Sequence, residues 1–498
     1  MSTTPQTPTP TGSPASTAQN TRQFLGHPAM LFSLFNVELW ERFSFYGMQA
    51  IAAYYIYYST TDGGLGLDET MAIGIIGAYG GVVYLSTVLG AWISDRLFGP
   101  ERVLFYSGIL IMFGHIALAL IPGVAGLIAG LAMVGIGSGG LKATATSLVG
   151  TLYAKDDERK DAGFSIFYMG VNIGALFGPL VTGWLQVAPG LGFHIAFGAA
   201  AVGMAIGLVT YAITRKNMPE SSHVVANPLP KNMYWVLPVG VIALAAIIAI
   251  LLVSGIVNAN NLATSVGIAV AGIAAIYFFV ILSSKQITSD ERSRVFSFIP
   301  LFIASTAFWA LFQQQFTVIP VYAESRLDRN IFGFVIPPAW VNSINPIFII
   351  IFAGIFAAIW TALGKRQPTT PTKFAIALVI MGLAFFLFVP FAGSGENSVP
   401  FIMIIGVLFL FTLAELNISP IGLSLATKLA PEKFQTQMVA LFFLSVSLGS
   451  TLAGVLGQLG QTIPEGTYFL MVGIASIVVA GLLLLVSPWI RKAMKGVH

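Results

Sequence analysis

Three ionisable side chains share one face of an apolar segment near the start of the chain. Glu38, Glu41 and Arg42 are spaced three and four residues apart, and residues at these spacings are neighbours on an α-helix. One guanidinium cannot neutralise two carboxylates, so one carboxyl is left able to take up and release a proton at ordinary pH. Ionised groups within a membrane are costly and usually mark an ion or substrate pathway. The pattern therefore predicts a proton-coupling site.

The alternative is a buried ion pair that only fixes the register of the helices. We consider it the weaker interpretation, because buried ion pairs are poor stabilisers of a fold. Intramembrane charge, in contrast, is functional by default.

Two further charges in apolar segments could complete this site. Lys142 is the other intramembrane cation of the first half and a natural partner for Glu38 or Glu41. Glu415 is the lone intramembrane carboxylate expected in the second half. With Arg42 and Lys142 across a central cavity, Glu415 would create a dipolar site with cations at one end and an anion at the other. Such a site suits a zwitterion, and a short peptide is one.

Aromatic and amide side chains in neighbouring apolar segments could line the same cavity. They would supply aromatic walls and hydrogen bonds to a peptide backbone without demanding particular substrate side chains. These candidates are Tyr46, Tyr84, Trp309, Asn172 and Asn345.

The elements that must position these residues are membrane-spanning helices. The chain has 498 residues, of which 56% are hydrophobic and only 9% charged, whereas soluble domains carry about 25% charged residues. Apolar runs of about 20 residues, long enough to span a bilayer as helices, occur roughly fourteen times. We predict an all-α membrane protein with the lipid bilayer as its surroundings.

The distribution of basic residues predicts the orientation in the membrane. Lysine and arginine collect at alternate connections and at the two tails, such as Arg96, Arg215 and Lys373, and such faces are cytoplasmic. This explains a sequence pI near 9.1 without a nucleic-acid partner. We expect a multi-pass protein of the cell membrane with both termini in the cytoplasm.

The chain divides into two halves around a charged, proline-containing linker. We predict a disordered cytoplasmic tail, a six-helix bundle, a linker that carries a two-helix hairpin, a second six-helix bundle and a short cytoplasmic tail, at residues 1–28, 29–214, 215–292, 293–490 and 491–498. Two such bundles form the major facilitator arrangement, which binds its substrate between them near the middle of the membrane. The segment Gly90-Ala91-Trp92-Ile93-Ser94-Asp95-Arg96 resembles a loop motif of that superfamily.

Other motifs give no support to an enzyme or a metal protein. Residues 135–140 match the pattern GxGxxG, but this fingerprint requires a preceding strand and a βαβ unit, and here it lies in a spanning helix where glycines favour close packing. The five histidines show no metal-ligand spacing, and cysteine is absent. We therefore predict neither a metal site nor a cofactor, with the proton as coupling ion, and no enzymatic activity.

Three longer motifs identify a resemblance to the proton-dependent oligopeptide transporters of the major facilitator superfamily. They are Glu38-x-x-Glu41-Arg42-Phe43-Ser44-Phe45-Tyr46-Gly47, Phe167-Tyr168-Met169-Gly170-Val171-Asn172-Ile173-Gly174 and Glu415-Leu416-x-x-Ser419-Pro420-x-Gly422-Leu423-Ser424. The resemblance implies that Arg42 and Lys142 face the carboxylate of a peptide. It also implies that Asn172, Asn345 and Glu415 hold its amino end and backbone. Glu38 and Glu41 would couple protonation to the substrate and to Lys142.

The sequence also departs from this family. Many members have arginine at the position of Gln49 and glutamate at that of Gln313, which pair between the two halves, whereas both are neutral amides here. Phe45 replaces the first of two tyrosines, and Phe442 stands where tryptophan is common. These departures bear on gating and on substrate range.

The resulting hypothesis is a proton-coupled symporter that imports di- and tripeptides by alternating access. Its partners would be small peptides and protons, with no obligate protein partner. The alternatives are a symporter of another small zwitterion or anion on the same scaffold, and a peptide sensor that does not transport.

Overall fold

The computed structural model describes residues 23–154 and 157–496, and almost all of this chain is helical. The first six long helices are α1 (Met30–Tyr57), α2 (Glu69–Ile93), α3 (Pro100–Leu120), α4 (Gly123–Thr151), α5 (Lys160–Val187) and α6 (Phe193–Thr214). Two helices follow in the middle of the chain, α7 (Val236–Val253) and α8 (Leu262–Ser283). The last group comprises α9 (Ser289–Phe312), α10 (Val318–Ser325), α11 (Ile344–Leu363), α12 (Thr370–Phe386), α13 (Phe401–Leu429), α14 (Gln435–Gly460) and α15 (Glu465–Ala493).

Helices dominate because a spanning segment must satisfy its backbone hydrogen bonds internally. Within the described residues, thirteen helical segments are long and apolar enough to cross a membrane, and α9 and α10 together form one of them, Ser289–Ser325. The 28-residue helix α1 is the remaining span; its charged residues make it less apolar than the others. Thirteen segments and α1 give fourteen spans, which confirms the predicted number.

The spans form two bundles of six. In the first, α1 packs against α5 and α6, and α4 packs against α2 and α3. In the second, α9 packs against α14 and α15, and α12 packs against α13 and α15. The predicted all-α architecture of two six-helix bundles with two additional spans is confirmed. We call the membrane side where α1 begins and α15 ends the terminal side, and the opposite one the remote side.

The two bundles meet along α2 and α14. A Cβ atom added at Gly77 of α2 would collide with the backbone of Gly454 of α14, so the two backbones approach closely because neither residue has a side chain. Ser447 adds a hydrogen bond across the same seam, with its Oγ donating to the carbonyl oxygen of Gly81 at 2.6 Å.

The two helices of the central hairpin differ in their contacts with the bundles. Helix α7 buries none of its residues, but α8 packs against both α2 and α14 and so covers the seam between the bundles. The Nε2 of Gln458 on α14 donates to the carbonyl oxygen of Asn260 in the hairpin turn at 3.0 Å and to that of Thr70 on α2 at 3.2 Å. One amide therefore links the hairpin to both bundles on the remote side.

Short strands occur only as two-stranded pairs among the described residues. Antiparallel pairs join β1 (Gln23–Phe24) to β2 (His27–Pro28) and β4 (Asn330–Ile331) to β5 (Phe334–Val335), and β3 (Leu327–Asp328) pairs in parallel with β6 (Val399–Pro400). The first pair falls within the predicted disordered tail, so residues 23–28 have a local structure that the sequence does not reveal. The other tail residues predicted at 1–22 and 497–498 lie outside the described residues.

Candidate functional site

The three charged residues of α1 form one buried ionic cluster. The Nε of Arg42 lies 2.7 Å from Oε1 of Glu38 and 3.0 Å from Oε2 of Glu41. All three residues are nearly inaccessible, with exposed fractions of 4%, 0% and 4% for Glu38, Glu41 and Arg42. The i, i+3 and i, i+4 spacing therefore brings these groups together as predicted from the helical period.

The cluster has more acceptor oxygens than donors. Arg42 donates through Nε to Glu38, and Ser138 of α4 donates from Oγ to Oε1 of Glu41 at 2.9 Å. The Oε2 atoms of both glutamates are buried without a hydrogen-bond donor among the described residues. A buried carboxylate oxygen without a donor is unfavourable, and a proton bound there would relieve it. The arrangement can therefore hold one transferable proton.

Lys142 lies beside this cluster but not in the predicted ion pair. Its Nζ is 4.5 Å from the centre of the Tyr84 ring and 4.8 Å from that of Phe45. No carboxylate oxygen of the described residues lies within 4.0 Å of it, so the expectation of a direct pair with Glu38 or Glu41 is wrong for this conformation. Aromatic faces attract a cation more weakly than a carboxylate does, which leaves the ammonium available to an incoming anion.

The second bundle contributes a sparser polar group. The Nδ2 of Asn345 on α11 donates to Oγ1 of Thr412 at 3.0 Å and to Oε2 of Glu415 at 3.4 Å, both on α13. Glu415 and Asn345 are half-buried. The carboxylate thus has an amide neighbour and no cation within 4.0 Å among the described residues.

Two tyrosines connect the two polar groups. The phenol groups of Tyr46 and Tyr84 lie within electrostatic reach of both Arg42 and Glu415. Tyr46 also stacks on Phe316, with the ring centres 6.1 Å apart. Tyr46 and Tyr84 therefore lie near both the cationic and the anionic groups.

The remaining two candidates are engaged in contacts with their own helices. Trp309 is 7% exposed and packs edge-on against Phe308 and Phe312. Asn172 donates from Nδ2 to the carbonyl oxygen of Tyr168, one turn earlier, at 2.9 Å. Neither side chain makes a hydrogen bond or ion pair with the charged groups within the described part of the chain.

Gln49 and Gln313, the two neutral amides at positions where many family members are charged, face each other across the two bundles. Gln49 of α1 and Gln313 line one small cavity, together with Thr317 and Ser450. The Nε2 of Gln313 donates to Oγ of Ser450 at 2.9 Å, and Oε1 of Gln49 is buried without a donor in the described residues. The cavity is therefore lined by two neutral amides, one from each bundle.

The remote side is joined by hydrogen bonds between α1 and α10. The hydroxyl of Tyr54 donates to the carbonyl oxygen of Pro320 at 3.1 Å, and that of Tyr57 donates to a carboxylate oxygen of Glu324. Glu324 lies close to the end of the broken span Ser289–Ser325. These two hydrogen bonds therefore join the two bundles on the remote side.

Sequence reasoning missed the polar partners of the predicted residues. Ser138 lies in the glycine run at residues 135–140 and was considered only for packing, although a hydroxyl among glycines on a helix facing α1 is a signal for such a role. Thr412 precedes Glu415 by three residues, which places it on the same face. Residues 135–140 do pack closely, since a Cβ at Gly140 or Gly137 would collide with Ser107 or Ile111 on α3.

Comparison with known proteins gives a consistent result. The sequence model described as the POT family matches residues 101–471. An uncharacterised transporter of Bacillus subtilis, YclF, is 43% identical over 477 residues, which cover 95% of this chain and 96% of the relative. A di-/tripeptide transporter of Lactococcus lactis subsp. cremoris is 38% identical over 494 residues, which cover 96% and 98%.

Solved structures agree in both fold and sequence. The crystal structure of the peptide transporter POT in complex with sulfate has a TM-score of 0.89 and 44% identity, covering 96% of this chain and 98% of the other. That of a POT family transporter in complex with 5-aminolevulinic acid has a TM-score of 0.88 and 36% identity, covering 94% and 98%. All these similarities extend over both bundles.

Proposed function

This chain belongs to the POT family, and on that premise we propose that it is a proton-coupled symporter that imports di- and tripeptides by alternating access. The observation that carries the proposal is the buried cluster of Glu38, Glu41 and Arg42, which has two carboxylates for one guanidinium. Relatives named as di-/tripeptide transporters support the substrate class. The protein is then a multi-pass membrane transporter of the cell membrane, with its termini in the cytoplasm.

The peptide would lie between the bundles with its carboxylate towards the first. Only Nε of Arg42 is engaged with Glu38 and Glu41, and its two Nη groups have no hydrogen-bond partner among the described residues. Paired guanidinium donors match a carboxylate well. Lys142, held over two aromatic rings, would supply the second positive charge to the same end of the peptide.

The amino end of the peptide would meet the second bundle. Glu415 has no cation within 4.0 Å in the part of the chain that the structure describes, and Asn345 orients it. An ammonium group would provide the missing counter-charge. Tyr46 and Tyr84 would flank the backbone between these ends, and Asn172 and Trp309 would contribute only after they rearrange.

Glu41 is the best proton acceptor of the cluster. It is fully buried, and its ion-pair contact with Arg42 is longer than that of Glu38, at 3.0 Å against 2.7 Å. Its second oxygen is already stabilised by the Ser138 hydroxyl. Protonation of Glu41 would weaken its attraction for Arg42 and leave the guanidinium free to bind the substrate.

The coupling to movement would follow from the contacts at the seam. The hydrogen bonds of Tyr54 and Tyr57 with α10, and that of Gln458 with α2, support a state closed on the remote side. Opening that side requires these bonds to break. Binding of both proton and peptide would compensate for this loss by drawing the bundles together around the site.

A second candidate is the transport of a zwitterion that is not a peptide. It is favoured by one observation, the POT family relative whose crystal structure contains 5-aminolevulinic acid. That compound carries an amine and a carboxylate, as a peptide does. Competition of dialanine and 5-aminolevulinic acid against labelled dialanine would rank the two substrates.

The decisive experiment is uptake of labelled dialanine into proteoliposomes under an imposed pH gradient, compared with dialanine exchange without a gradient. Glu41→Gln should abolish gradient-driven uptake and preserve exchange, since the amide keeps the size of the side chain but cannot carry the proton. Glu396→Gln makes the same chemical change on an exposed loop residue and serves as the control. Gradient-driven uptake of normal magnitude in Glu41→Gln would overturn the coupling mechanism, and no dialanine transport in the wild type would overturn the substrate.

A further inference from the structure

The connection between α11 and α12 carries an uncompensated positive charge. No aspartate or glutamate occurs between Asp328 and Glu396, whereas Lys365, Arg366 and Lys373 lie together at the terminal side of this region. For Arg366 and Lys373, no carboxylate oxygen of the described residues is within 4.0 Å. Arg366 and Lys373 therefore have no anionic partner among the described residues.

Three other terminal-side cations are paired with carboxylates. Arg215 donates from Nε and Nη2 to Glu101 at 2.7 and 2.8 Å. Arg159 makes two hydrogen bonds with the Asp157 carboxylate, which lower the pKa of Asp157 to about 2. Lys495 lies 3.2 Å from Asp290. Arg366 and Lys373 differ from these three cations in having no carboxylate within 4.0 Å among the described residues.

Lys373 is held in a fixed position although it has no counter-ion. It is 8% exposed; its Nζ lies 4.2 Å from the centre of the Trp360 ring and donates to Oε1 of Gln367 at 2.8 Å. Gln367 in turn donates from Nε2 to the carbonyl oxygen of Trp360 at 2.6 Å. The indole Nε1 of Trp360 has no acceptor among the described residues. Two donors are therefore ordered side by side without an anion.

This group lies where a lipid headgroup would be. Apart from its contacts with α5 and α13, helix α11 exposes apolar side chains such as Ile351, Ile355 and Ile359, which suit contact with lipid. Trp360 is near its terminal-side end, at the depth where tryptophan prefers the boundary between lipid and water. Arg366, in the turn that follows, is exposed.

We propose that Arg366, Lys373 and Trp360 form a binding site for the phosphate of an anionic phospholipid in the terminal-side leaflet. Basic pockets between spanning helices bind such headgroups. Arg366 and Lys373 supply the charge, and Trp360 packs against the glycerol and acyl region of the lipid. A zwitterionic phospholipid offers no net charge to these cations and binds more weakly.

The test is a titration of the delipidated full-length protein in detergent, with bound lipid counted by native mass spectrometry. The probes are dioleoylphosphatidylglycerol and dioleoylphosphatidylcholine. The wild type should prefer phosphatidylglycerol. Each of Arg366→Gln and Lys373→Gln should lower its affinity about fivefold, and the double variant about 25-fold, on the scale expected for one basic residue near an anionic membrane surface. The affinity for phosphatidylcholine should change little.

Three controls separate the site from general effects of charge and folding. Lys495→Gln removes a terminal-side cation that is already paired and should leave the preference unchanged. Lys373→Arg should restore binding if the protein is folded. Excess inorganic phosphate tests whether the site binds free phosphate instead of a lipid headgroup, and it should not displace the lipid. The proposal would be overturned if the double variant bound phosphatidylglycerol as tightly as the wild type, or if Lys495→Gln lost as much affinity. It would also be overturned if Lys373→Arg failed to bind the lipid, or if inorganic phosphate displaced it.

Discussion

The two bundles contribute unequally to the polar space between them. The first places Glu38, Glu41 and Arg42 in one buried cluster and Lys142 beside it. The second places Glu415 there, half-buried and hydrogen-bonded to a neutral amide. Opposite charges compensate one another within the first bundle, whereas the second depends on what enters the cavity. The difference suggests a division in which the first bundle senses the proton and the second senses the substrate.

Energetics support this division. Removing one partner of a buried ion pair leaves the other charge uncompensated, which destabilises the fold by about 3–5 kcal/mol. Glu415 has no ionic partner among the described residues, and an amide in its place can still accept a hydrogen bond from Asn345. Equivalent neutralising substitutions should therefore affect the folded state in the first bundle and substrate affinity in the second.

The largest effect is expected for Arg42→Gln. It leaves Glu38 and Glu41 without their shared cation, so we expect dialanine uptake to fall to background and the thermal unfolding temperature in detergent to drop, by an amount equivalent to about 3–5 kcal/mol. Arg159→Gln is the matched control, because its ion pair with Asp157 is at the surface and such pairs contribute at most about 1 kcal/mol. A stable Arg42→Gln protein with normal uptake would remove the basis of the comparison.

A smaller and more selective effect is expected for Glu415→Gln. Loss of one charge-assisted contact with an ammonium, about 1.5–3 kcal/mol, should raise the KM for dialanine roughly tenfold to 100-fold, with little change in unfolding temperature. Comparison with N-acetyl-dialanine tests the reason, since that analogue lacks the ammonium and should lose little affinity in the variant. Equal losses of affinity for both compounds would show that Glu415 does not act on the ammonium group.

A third test of the comparison between the bundles introduces charges at two neutral positions, one in each bundle. Gln49 and Gln313 line the same cavity, so Gln49→Arg and Gln313→Glu should each impair uptake by burying a lone charge. The double variant should recover to within about threefold of the wild type. A double-mutant cycle on unfolding temperature should give a favourable coupling of about 0.5–3 kcal/mol. Additive losses would mean that the two side chains do not meet during transport.

The fold followed from the sequence because hydropathy and helix length are constrained by the bilayer. Fourteen spans, two bundles and a central hairpin needed only the apolar runs and the charged connections between them. The break of the ninth span at Gln313–Phe316 and the packing of α8 over the seam depend on tertiary contacts that no local pattern encodes.

The site was predictable where the residues lie on one helix. The spacing of Glu38, Glu41 and Arg42 predicts that they meet, because the helical period places residues three and four apart on the same face. Lys142 illustrates the limit. Its charge suggested a carboxylate partner, but its ammonium lies between two aromatic rings, and the relative rotation of α1, α2 and α4 that produces this cannot be read from residue types.

The charges of α1 also have a consequence for biosynthesis. At the centre of a helix entering the membrane through the translocon, each ionised residue opposes insertion by roughly 2.5–3.5 kcal/mol, so three would oppose it by about 8–10 kcal/mol. Helix α1 is therefore a poor independent insertion signal, although it is the first span described. It requires α4, which supplies Ser138, and α5 and α6, which enclose it. We expect α1 to remain beside the translocon until these helices have been synthesised, so that the first bundle enters the membrane as a unit.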